Sequence, residues 1–172
     1  MKYLSVCLLF LLFPTLCFAN GKKAPKIVVT FHLESPPDPG RKMTFEWQTS
    51  IGKKNFRVTS EFKTHEIVGQ RPFPSPHSET EYGMIFQFDR DAKRRLAQLT
   101  TANKGKYLIC FINGKPIDML KIDQTVNDGI ICVWRGLMPS DVHKADELVP
   151  RIGEDKATWK KRMETSVKRS SP

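Results

Sequence analysis

An α+β fold, with two helices packed on one face of a mainly antiparallel sheet, follows from three features of this 172-residue sequence. Apolar and polar residues alternate in several short runs, the period of a strand with one buried face. Two stretches instead carry apolar residues at helical spacing. From Gly83 onward the elements run strand, helix, three strands, helix, with tight turns between the strands, and this arrangement places helices against an antiparallel sheet.

Three strands are expected first. Over 26–34, Ile27, Val29, Phe31 and Leu33 face one side, while Val28, Thr30, His32 and Glu34 face the other. His32 and Glu34 therefore read as solvated. Ser35 to Gly40, with three prolines, is a loop. Met43, Phe45 and Trp47 alternate with Thr44, Glu46 and Gln48 in a second strand. A turn at Ile51-Gly52-Lys53-Lys54 leads to a third, carrying Phe56, Val58, Ser60 and Phe62. The three together suggest an antiparallel meander. Residues 64–82 read as irregular, because Arg71-Pro72-Phe73-Pro74-Ser75-Pro76 is short of amide donors and resembles an extended linker.

The second half is more regular. Met84, Phe86 and Phe88 form a strand ending at Asp89, whose carboxylate can accept from the free amides of a following helix. Ala92, Leu96, Leu99 and Asn103 follow at helical spacing, and Gly105 stops the helix, where glycine suits a left-handed residue. Tyr107 to Ile112 is an apolar strand. Asn113-Gly114 is a two-residue hairpin turn returning through Pro116 to Ile122. Asp128-Gly129 makes another turn into the strand Ile130–Trp134. Pro139-Ser140-Asp141 opens a helix with Val142, Ala145 and Val149 on one face, and Pro150 ends it.

This second half resembles the head subdomain of the first periplasmic domain of SecD, in the SecDF protein-export family. The resemblance covers about residues 83–149. It rests on Phe86-Gln87-Phe88-Asp89, Ala92, Leu96-Ala97-Gln98-Leu99-Thr100, Asn103-Lys104-Gly105-Lys106, the Asn113-Gly114-Lys115 turn, Ile122, Asp128-Gly129, Gly136 and the helix from Ser140. Asp89, Thr100, Asn103, Gly105, Asn113, Gly114, Asp128, Gly129 and Gly136 are its motif residues, and their roles are structural. In SecD the hairpin turn is usually Asp-Gly; Asn-Gly serves the same geometry. The resemblance implies the fold and contact with extended or unfolded exported chains. SecD's proton-coupled membrane helices have no counterpart here, and residues 20–82 and the basic end have none in SecD.

The amino-terminal residues read as an export signal. Lys2 precedes an apolar run, Leu4 to Phe13, that is short of the roughly 20 residues a membrane-spanning helix needs. Pro14 breaks it, and Cys17-Phe18-Ala19 places small residues where a signal peptidase cuts, between Ala19 and Asn20. Leu16 before Cys17 disfavours lipoprotein processing. The organisation expected is thus a signal peptide at 1–19, an amino-terminal strand segment with a Pro-rich loop at 20–82, a SecD-head-like domain at 83–150 and a basic tail at 151–172. In that tail Trp159, Met163 and Val167 fall at i+4 spacing, the pattern of a short amphipathic helix for the domain itself or for an anionic membrane.

Export sets the partners. The formal net charge of +10 falls by one with Lys2, and outside the cytoplasm so basic a surface meets anionic lipid, wall polymer or acidic protein rather than nucleic acid. Cys110 and Cys132, the two cysteines left after cleavage, sit in apolar strands and read as buried free thiols, although the compartment permits a disulfide. His32, His65, His77 and His143 lack metal-ligand spacing, and Asp118, Asp123 and Asp128 lack that of an EF-hand. Neither cofactor, metal nor catalytic motif is expected. Three function classes remain: a non-catalytic domain that binds extended polypeptide, with strand 26–34 as a candidate edge for strand addition; a basic envelope-associated protein; and an enzyme whose site no motif reveals.

Overall fold

The structure, a computed structural model, describes residues 27–40 and 42–170, with side chains as far as residue 165. In chain order its elements are β1 (Val29–Leu33), β2 (Thr44–Thr49), β3 (Gly52–Arg57), β4 (Phe62–Lys63), a 3-10 turn (Thr64–Glu66), β5 (Ile67–Pro74), β6 (Tyr82–Phe88), α1 (Arg90–Ala102), β7 (Tyr107–Ile112), β8 (Lys115–Lys121), β9 (Ile130–Leu137), α2 (Pro139–Leu148) and α3 (Lys156–Ser170). The class is α+β and the strands pair antiparallel. They form a four-stranded sheet ordered β4-β1-β7-β8, a three-stranded sheet ordered β5-β6-β9, and the hairpin β2-β3.

One hydrophobic cluster unites residues on both sides of the boundary at 82/83. Ile27, Val29, Phe31 and Leu33 meet Met84, Phe86 and Phe88 of β6, Ala92 and Leu96 of α1, Leu108, Cys110 and Ile112 of β7, and Ala145 of α2. Phe31 lies edge-on to Phe86 and Phe88, with ring centroids 6.0 and 5.8 Å apart. The alternation expected over 26–34 holds on this inner face.

Five expectations for the amino-terminal half are corrected. β1 is no edge strand: it lies between β4 and β7, pairing Phe31 with Phe62 on one side and with Cys110 on the other. No meander forms, because β2 pairs only with β3, while β1 takes its partners from farther along the chain. The third strand is broken at residues 58–61 into β3 and β4, and Val58 is left exposed. The outer face of β1 is not open to solvent either. His32 packs between Phe45 of the hairpin and Phe111 of β7, and its ring nitrogens bond to Arg57 O and Thr30 Oγ1. Glu34 pairs with Lys54 at 2.7 Å and accepts from Tyr107 N.

The Pro-rich stretch is also a strand, β5, rather than a linker. The sheet register explains why prolines are tolerated. Phe88 N donates to Gly129 O, so alternate β6 residues, Phe86 and Met84 among them, direct their backbone groups toward β9. Their β5 neighbours, Gln70 and Pro72, then direct theirs away from β6. Pro72 and Pro74 occupy the outward positions of an edge strand, where no ladder donor is needed. At Gln70 the outward groups are used by the chain after α2: Gln70 N donates to Pro150 O, and Ile152 N donates to Gln70 O.

The motif residues do structural work. Asp89 Oδ1 accepts from Asp91 N and Ala92 N and caps α1. Asn103 follows α1 as its C-cap and donates from Nδ2 to Leu99 O. Asn113 and Gly114, at φ 51° and 76°, form the β7-β8 turn in the left-handed region the hairpin requires. Asn113 Oδ1 also accepts from Val28 N. Gly105 N donates to Ile122 O, and Asp128 accepts from Ile130 N across the turn at Gly129. Ala19 and Asn20 lie outside the described residues, and so does Val167's side chain. No helix among the described residues is long and apolar enough to cross a membrane.

Candidate functional site

The two sheets meet along the edges of β8 and β9 with no backbone ladder between those strands. The strands touch at one end. Gly136, at φ 88°, lies so close to Ile117 that a Cβ there would fall 2.7 Å from its Cγ2. Beside this contact the Asp118 carboxylate, only 7% exposed, bridges the strands. It accepts from Met119 N at 2.9 Å and from Trp134 N at 2.8 Å, and Arg135 approaches it at 3.6 Å. Beyond this junction opens a cleft of about 660 Å³, a candidate binding site.

Its walls are strand backbones. Ile122 N donates to Lys106 O and Ile122 O accepts from Gly105 N, so the backbone of Ile122 faces β7. By strand alternation Lys121 and Met119 then direct theirs into the cleft. On the opposite wall Gly129, Ile131 and Val133 face β6, so Ile130, Cys132 and Trp134 direct theirs into the same space. Several of these donors already have side-chain partners: Met119 N and Trp134 N use Asp118, and Ile130 N uses Asp128.

The floor is the outer surface of the core, formed by Leu96, Leu108, Ile122 and Ile131. Thr100 lies there too. Its hydroxyl donates to Leu96 O and accepts from Val126 N, so its polar capacity is spent tying α1 to the loop after β8. At the mouth Trp134 is 51% exposed, with Phe73 edge-on to it at 5.7 Å. Of the motif residues, Thr100 lines the cleft and Gly136 closes its end. Asp89, Asn103, Asn113, Gly114 and Asp128 serve caps and turns instead.

Cys132, His77 and Asp118 all line the cleft, a residue set that invites comparison with a nucleophilic site. The electrostatics oppose it. Partial burial raises the Cys132 thiol pKa, and the negative charge of Asp118 raises it further. A cysteine nucleophile needs the opposite shift. Cys110 is fully buried and its thiol is likewise pushed up, by burial first and Asp118 second. Both are free thiols. At pH 8, Cys132 is therefore expected to alkylate more slowly than a free cysteine, and Cys110 to alkylate only on unfolding; mass-resolved iodoacetamide labelling with and without denaturant measures both. Among the described residues no cluster of three metal-binding side chains occurs.

The basic carboxy-terminal segment is tied to the domain. Trp159 Nε1 donates to Asp146 O at 2.8 Å, and Arg162 pairs with both Asp146 and Glu154. This part of the apolar stripe is turned toward α2, while Lys160 and Lys161 are exposed.

The cleft could not be read from the strand patterns. Ile130 to Trp134 is so uniformly apolar that it resembles an interior strand, yet β9 is an edge. The two signals that were present are Trp134 at the end of that run and Asp118 among Ile117, Met119 and Leu120 of the return strand.

No known protein family matches the chain, and no curated protein matches it. Among solved structures it is similar to that of SecDF, described as a membrane component that enhances protein export: 14% identity and a TM-score of 0.47, over 71% of this chain and 60% of that one. A second SecDF structure, in a super-membrane-facing form, gives 13% identity and a TM-score of 0.46, over 71% of this chain and 18% of that one. The chain thus spans less than two thirds of either SecDF chain.

Proposed function

We propose that this protein is an exported binding domain that takes up extended polypeptide in the β8-β9 cleft by strand addition, and that it catalyses nothing. The observation that carries this reading is the pair of facing strand edges over an apolar floor. Backbone donors and acceptors directed into an apolar cleft are best satisfied by another backbone. The other outer edges of the two larger sheets are shielded: β4 is two residues long, and β5 carries outward prolines and the 150–152 segment. Such short, proline-bearing or covered edges are how proteins prevent strand pairing. The raised thiol pKa of Cys132 speaks against an enzyme using this cleft.

Binding is expected on the order of micromolar or weaker, because an unfolded partner must be ordered as it binds. The test is a fluorescence-anisotropy titration with an unfolded, uncharged model polypeptide at low and high salt. Binding should persist at high salt, since strand pairing is not screened as charge attraction is. Lys121→Pro and Cys132→Pro each remove an amide that faces the cleft and leave the ladders to β7 and β6 in place. One or both should weaken binding at least about tenfold, or about 1.4 kcal/mol, with circular dichroism confirming an unchanged fold. Absence of binding at both salt concentrations rejects the proposal. Binding confined to low salt assigns the activity to the basic surface and an anionic envelope partner.

A further inference from the structure

We infer that the β8-β9 cleft selects extended segments in which apolar and polar side chains alternate, and that it holds them without a charge contact. This rests on the strand-addition reading above and specifies its substrate. A strand pairing with either wall projects successive side chains to opposite sides. One side meets the floor of Leu96, Leu108, Ile122 and Ile131, and the other meets solvent. The floor has no polar group to spare, because the Thr100 hydroxyl already has its partners.

The charges around the cleft are also matched internally. Asp118 is engaged by two backbone amides and Arg135, and Lys121 pairs with Asp123 at 3.2 Å. An inward-facing charged side chain would lose its hydration for no new partner. An apolar one would bury surface, and exposed Trp134 extends that surface at the mouth. An occupant with inward apolar residues and no net charge is therefore the complement of this site.

On the reading that 1–19 are removed as a signal peptide, the segments flanking the domain do not have this pattern. Residues 20–26 read Asn-Gly-Lys-Lys-Ala-Pro-Lys, and 166–172 read Ser-Val-Lys-Arg-Ser-Ser-Pro. Each carries at least two positive charges and a proline and lacks alternating apolar residues, so neither is the uncharged, alternating complement of this site, and the occupant is a separate polypeptide.

The experiment compares two uncharged peptides of identical composition and length, one alternating valine with threonine and one with the same residues in two blocks. Each is titrated against the whole protein and against Trp134→Ala, with Trp emission and peptide anisotropy as readouts. Sedimentation of the protein alone monitors self-association. The expected result is at least tenfold tighter binding of the alternating peptide, with that preference reduced in Trp134→Ala. Equal, measurable affinities would overturn the selectivity and leave strand addition standing. If neither peptide binds while the Lys121→Pro and Cys132→Pro variants remain folded, both readings fall. Self-association that Lys121→Pro or Cys132→Pro abolishes would identify a second copy as the occupant and would overturn the inference.

Discussion

Truncation of Phe31 to Ala is expected to lower the unfolding free energy by about 3–5 kcal/mol, the range for removing a buried aromatic side chain. Phe31 is fully buried on β1, the strand between β4 and β7, and its ring bridges to Phe86 and Phe88 of the other sheet. The substitution removes apolar burial and leaves a cavity between two elements that can collapse only by moving the sheets together. For a domain of this size, the corresponding fall in melting temperature is about 10 °C. Val58, which is exposed, provides the contrast: its truncation should change stability by no more than about 0.5 kcal/mol. Urea unfolding of the two variants beside the parent protein measures the difference. A loss below 1 kcal/mol for Phe31→Ala would mean that the sheets are not joined through this residue.

The same residue shows what the sequence discloses and what it withholds. Alternation from Ile27 to Leu33 identified the buried face of β1, because a strand's side-chain period depends only on local geometry. It could not identify the neighbours of β1, since pairing with residues 62–63 and 108–112 is set by non-local packing. The error about the edge position, and the unrecognised cover over His32, both come from that gap. Asp89, Asn113, Gly114 and Gly129 were legible for the opposite reason: a cap or a tight turn is satisfied within a few residues of itself. Pro72 and Pro74 misled because their missing donors argue against a strand interior, whereas at alternate outward positions of an edge strand the loss is without consequence. The cleft was hidden because it is made by two strands failing to pair, and neither strand's own pattern records that failure.

Replacing Asp146 by Ala is expected to destabilise the protein by about 2–3 kcal/mol at neutral pH and to loosen the start of α3 from α2. The carboxylate is at the centre of the contacts that hold the carboxy-terminal segment. Arg151 reaches both its oxygens at 2.9 Å, Arg162 approaches at 3.0 Å, and Gln70 Nε2 donates at 2.7 Å from the buried interior of β5. Removing it would leave the Gln70 amide buried with no acceptor; Gln70 Oε1 already has no partner. A lost bond to a charged group with a buried partner left behind lies in this range. Arg151, about half exposed, can return to water, which keeps the loss below that of a fully buried ion pair. The pH dependence follows from the same contacts. Burial acts to raise the Asp146 pKa, but the Arg151 hydrogen bond, the charges of Arg151 and Arg162 and the Gln70 bond outweigh it and hold the carboxyl below its usual range. A carboxyl whose pKa is lower in the folded state stabilises the fold above its unfolded value, and that stability disappears as pH falls through the folded value. Parent and variant should therefore differ most at neutral pH, and the difference should begin to shrink below about pH 4 and go on shrinking as pH falls toward the lower folded value. Unfolding titrations at pH 7 and pH 3 test this, with hydrogen exchange reporting whether the first turns of α3 open. An equal difference at both pH values would show that Asp146 contributes through packing alone.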